Sequence, residues 1–119
     1  MLEWYRCTGG KWCELEKLNV EHPAVRNTNG IYILWIDEDN HRKIIRIGQG
    51  NIYQEIIKLK NELVIKAFET HGLKITWAEV PLIRRPGVLI YFINTLNPMM
   101  LGGKPPRAIP IKENLPWEE

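Results

Sequence analysis

No apolar run in these 119 residues approaches the roughly 20 needed to cross a bilayer. Cysteine and histidine are scarce: Cys7 and Cys13 are the only thiols, beside three histidines. His22 and His41, the nearest further ligands, have no zinc-type spacing to them, so no metal site is expected. Nothing in the composition points to an oxidising compartment, and the two thiols are expected reduced and partly buried. Neither charge dominates. Sixteen Lys and Arg against fourteen Asp and Glu leave +2, which permits phosphate binding without demanding it. No basic-then-apolar leader opens the chain, because Glu3, Arg6 and Lys11 interrupt it, and the expected location is cytoplasmic. Internal repeats and low-complexity tracts are also missing.

The chain does contain enough apolar residues (45%) for one domain with a core that needs no staples. GIYILWI at Gly30–Ile36 and KIIRIGQG at Lys43–Gly50 are β-branched and apolar, and the polar run Asp37–Arg42 separates them, which predicts a β-hairpin. Tyr32, Leu34 and Ile36 share one face of the first strand, and Ile31, Ile33 and Trp35 the other. A strand apolar on both faces belongs at the centre of a covered sheet. In the second strand, alternation sets Ile45 and Ile47 against Ile44 and Arg46. Residues 52–71 read as one amphipathic helix, with Ile52, Ile56, Leu59, Leu63 and Ala67 inward, Glu62 and Lys66 as an i,i+4 pair, and Gly72 as the stop. Leu73–Val80 alternates as a third strand, with Leu73, Ile75 and Trp77 on one face. Gly87–Asn97 fits a buried strand or a buried helix equally by local rules.

Two extensions flank this body. Residues 1–29 carry Trp4, Tyr5 and Trp12, too apolar for a free tail, and are expected to pack on the domain. Residues 98–119 are rich in proline and glycine. Long regular structure is excluded there, while Ile109, Ile111, Leu115 and Trp117 are candidates to pin the segment down.

Gly30-Ile31-Tyr32 followed by Arg46-Ile47-Gly48 resembles the paired motifs of the GIY-YIG nuclease family. Gln49, the amphipathic helix from near Asn51, and RPGVLIYFINTLNP at Arg85–Pro98 extend the likeness over most of the chain. The resemblance implies an α+β fold, a three-stranded antiparallel sheet flanked by helices, with residues 87–97 helical. It implies a magnesium- or manganese-dependent phosphodiesterase site: a glutamate on the second helix holding the metal, hairpin tyrosines, and an arginine on the first helix. Negative charge building on a pentavalent phosphate requires such a cation and aimed donors.

Matched residue by residue, the motif positions Gly30, Ile31, Tyr32, Ile47 and Gly48 are kept, and Tyr32 is the candidate catalytic residue. Arg46 stands at the second tyrosine. The helix arginine falls near Glu55 and the metal glutamate near Leu89, and leucine cannot ligate a hard cation. Arg46 has two readings, a phosphate fork or a bridge to Glu55. Trp35 and Trp77 are either base-stacking surfaces or core, and Glu79 is either a relocated ligand or an outward strand residue.

These residues predict a nucleic-acid-associated domain without nuclease activity and without a cofactor, contacting DNA or RNA through Arg42, Lys43, Arg46 and Lys58, with no membrane contact. The competing classes are an active metal-dependent endonuclease with a rearranged site and a protein-interaction domain.

Overall fold

Apolar side chains at every position from Ile31 to Ile36 are stable only if both sheet faces are covered. The computed structural model, which describes residues 1–118, buries all of them. They lie in β2 (Asn29–Glu38), between β3 (His41–Asn51) and β4 (Lys74–Glu79), antiparallel to both. Two strands of two residues extend this triplet: β1 (Cys13–Glu14) pairs antiparallel with β4, and β5 (Met100–Leu101) pairs parallel with β3. The sheet is therefore five-stranded and mixed, in the order β1-β4-β2-β3-β5, not the three-stranded antiparallel sheet expected. The two added strands are too short to carry a periodicity. The α+β class holds.

The hairpin is in register from Asn29↔Asn51 to Glu38↔His41, closed by Asp39 and Asn40 with positive φ. Between Leu34↔Arg46 and Trp35↔Ile44 the pairing skips Ile45. This β-bulge overturns the simple alternation expected of β3. Ile44 and Ile47 join Ile31, Ile33 and Trp35 on one face, while Ile45 joins Tyr32, Leu34 and Ile36 on the other.

Each face has its own helix. On the Tyr32 face lies α2 (Ile52–Asn61), which begins where the Asn51 side chain accepts the Gln54 N–H and contributes Ile52, Ile56 and Leu59. The expected single helix over 52–71 is broken. Glu62 adopts extended dihedrals (φ −85°, ψ 125°), α3 (Leu63–Lys66) forms a separate turn, a 3-10 turn covers Glu69–His71, and Gly72 stops it in the left-handed region. On the opposite face α4 (Arg85–Leu96) is a helix, ending at left-handed Asn97 and burying Val88, Leu89 and Phe92.

Both extensions pack on the body. Tyr5 stacks on Trp77 with ring centroids 4.7 Å apart, and its N–H donates to the Trp77 carbonyl. The short helix α1 (Pro23–Arg26) then leads into β2, its Ala24 carbonyl accepting the Trp77 indole N–H. Trp12 and Trp117 both meet Trp35 edge to face, and Ile111 and Leu115 join the same cluster, whereas Ile109 is exposed. Asn114 ties the two extensions together, accepting the Leu2 N–H and donating to the Leu2 carbonyl. Cys7 and Cys13 form a disulfide, contrary to the expected free thiols. Left-handed Gly9 and Gly10 turn the intervening chain so that the two residues come within 5.1 Å, Cα to Cα.

Candidate functional site

The motif residues are packed into both faces of the sheet. Tyr32 is opposite Gly48, and a Cβ on Gly48 would come within 2.5 Å of the Tyr32 ring. At Gly30 an added Cβ would fall 1.8 Å from the Ala78 carbonyl oxygen, so only glycine lets β4 close on β2 there. Ile31 and Ile47 sit on the other face, in the α4 core. All five motif positions thus have a packing role.

Beside Tyr32, alternation from Gly48 and Ile47 sets Arg46, paired with Leu34, on the α2 side. Its Nη1 donates to Glu62 Oε1 at 2.9 Å and its Nη2 to Glu62 Oε2 at 2.6 Å, a two-bond fork. Arg46 keeps only 11% of its side-chain surface exposed and Glu62 35%, so the carboxylate closes the guanidinium off from solvent. Arg46 Nε is buried without a partner. The hydrogen bonds to Glu62 raise the Arg46 pKa above its usual value, against the effect of burial. Arg46 does form a structural bridge, but to Glu62 in place of Glu55, and Glu62 is taken from its expected pairing with Lys66. Glu55 instead pairs with Lys58 at 3.1 Å.

Tyr32 is 1% exposed. Burial pushes its phenol well above the usual 10.0, and Glu55 and Glu62 add to the rise while Arg46 opposes it. A phenol so placed keeps its proton at neutral pH and makes a poor general base.

The four expected phosphate contacts are divided. Arg46 and Lys58 each hold a carboxylate on the α2 side. Lys43 is exposed on β3, and strand alternation directs it to that same side. Arg42 lies over the Trp117 ring at 3.9 Å, against the tail on the opposite face. Partial burial lowers its pKa, which Asp37 opposes. Trp35 and Trp77 are buried in the two cores and offer no stacking surface.

A divalent cation finds no fitting donor set here. Leu89, at the position of the metal glutamate, faces the α4 core, on the other side of the sheet from Tyr32. It lines a cavity of about 40 Å³ with Gly48, Gln49 and Gly102. Glu55 and Glu62 are spent on cations, and among the described residues no group of three or more His, Cys, Asp or Glu gathers. Glu79 is exposed at the end of β4. It opens onto a cleft of about 490 Å³ formed with Trp4, Tyr5, Arg6 and Thr28, which includes neither Tyr32 nor Arg46.

Glu62 is the site residue that sequence reading missed. Its apolar neighbours continue the helical period, so nothing in the pattern marks the break that brings it to Arg46. No family model, no curated protein and no solved structure matches this chain.

Proposed function

We propose that this chain is a GIY-YIG-like domain that associates with DNA or RNA through phosphate contacts and does not cut it. One observation carries the proposal: the Arg46 guanidinium beside Tyr32, at the position of the family's second tyrosine. A guanidinium fork suits phosphate oxygens. The same site lacks what hydrolysis requires, a cation ligand and a tunable base. The central hairpin, α2 and the helical α4 support this reading, and the GIY and IG positions divide between the two sheet faces.

With Arg46 and Lys58 already paired, binding is weak and driven by counterion release. Fluorescence anisotropy of labelled single- and double-stranded DNA and RNA tests this. The proposal expects measurable affinity at low salt, falling steeply with added salt, and weakened by Lys43→Ala. No association of any polynucleotide at low salt would overturn it and leave a protein-interaction domain as the better account.

A further inference from the structure

Arg46 has its two terminal nitrogens filled by a carboxylate that arrives from the solvent side, and its Nε, deeper in, has no partner. A bidentate carboxylate is the nearest protein mimic of a phosphate on a guanidinium fork. Glu62 holds that position where the helix breaks, and the segment after the break has few buried side chains. The single turn α3 buries only Ile65, while Leu63 is 82% exposed and Val64 nearly half exposed. Few buried contacts mean a low cost of local opening.

We propose that Glu62 is a latch: its carboxylate occupies a phosphate-binding fork on Arg46, and the α3 turn swings away when a nucleic-acid phosphate takes its place. The inference rests on the phosphate-binding reading above and adds its regulation. Closed, the site is a neutral ion pair. Open, it presents a semi-buried cation able to take phosphate through Nη1 and Nη2, the pair of donors that Glu62 leaves, beside Met100 Sδ at 3.8 Å from Nη2. The exchange trades one anion for another, so it costs no unpaired charge at Arg46. It also releases a carboxylate to water, where ions are well solvated.

The test compares wild type, Glu62→Gln and Glu62→Asp as full-length proteins, with a labelled duplex DNA and inorganic phosphate as probes. Glu16→Gln, the same change of charge at a residue outside the fork, is the control. The latch predicts that Glu62→Gln binds the duplex roughly tenfold tighter than wild type, the worth of one charge-assisted contact set free. Glu62→Asp should fall between, and Glu16→Gln should stay near wild type. In Glu62→Gln the Arg46 Nε–H resonance should shift on adding inorganic phosphate, and Arg46→Lys in that background should erase both effects. Measurable wild-type binding with no gain in either Glu62 variant overturns the latch and leaves the phosphate-binding reading standing. An equal gain in Glu16→Gln overturns it too, as a mere net-charge effect. Binding absent from every variant overturns both.

Discussion

At the scale of single residues, the pairing of a tyrosine with a glycine across β2 and β3 has a packing cause that can be measured. A methyl at position 48 meets the Tyr32 ring at 2.5 Å, with the hydroxyl at 2.6 Å. Gly48→Ala should therefore cost about 1–3 kcal/mol, the usual range for overpacking. Chemical denaturation checks this, and adding Tyr32→Leu should recover part of the loss. The phenol gives a second expectation. Because burial raises its pKa above the unfolded value of 10.0, the folded state holds a proton that the unfolded chain sheds. Stability from this group is unchanged below pH 10 and falls as pH rises beyond it. In a spectrophotometric alkaline titration, Tyr32→Phe should remove a phenol that ionises only as the protein unfolds. Loss instead of a phenol that ionises near pH 10 in the folded protein would mean that Tyr32 is open to water.

At the scale of elements, the Arg46–Glu62 fork is what divides α2 from α3. Glu62→Ala leaves a largely buried guanidinium without its acceptor. The carboxylate's partial exposure tempers the loss, which we expect at about 1–3 kcal/mol. Hydrogen exchange should quicken in α3 and the following 3-10 turn, while α2 up to Leu59 keeps its protection. Unchanged exchange in α3 would show that the fork does not hold it. The same elements mark what sequence could tell. Periodicity of two located β2 and β4 and both faces of β2, because those strands are long and flanked by turn residues. The helical period located α2, and Asn51 and Gly72 marked the ends of the segment. It missed the break at Glu62 because a tertiary ion pair set the backbone there. It missed the parity of β3 because a bulge inserts one residue without changing composition. Gly87–Asn97 was undecided locally, and the helix follows from packing on the Ile31–Ile33–Trp35 face.

At the scale of the whole molecule, the two extensions complete both faces of the sheet. Trp4, Trp12 and Trp117 join the α4 core, and Tyr5 joins the α2 core. Their aromatic content made docking legible, but not the partners, and the spacing of two cysteines did not reveal that Gly9 and Gly10 turn one onto the other. Reducing the Cys7–Cys13 bridge should lower stability by about 2 kcal/mol or less, given the short loop it closes. Comparing denaturation midpoints with and without a dithiol reductant checks it, and an unchanged midpoint would contradict a stabilising bridge. Of the candidate site, Tyr32 and Arg46 were legible together through the motifs, whereas Arg42 lies against the opposite face.

We propose a GIY-YIG-like scaffold in which the Arg46–Glu62 ion pair stands where the resemblance places phosphodiester chemistry. The most direct measurement holds an end-labelled duplex at protein concentrations where anisotropy shows it bound, with magnesium and then manganese, and follows its length. The duplex should stay bound and intact in both metals. Metal-dependent cleavage that disappears in Tyr32→Phe would contradict the account.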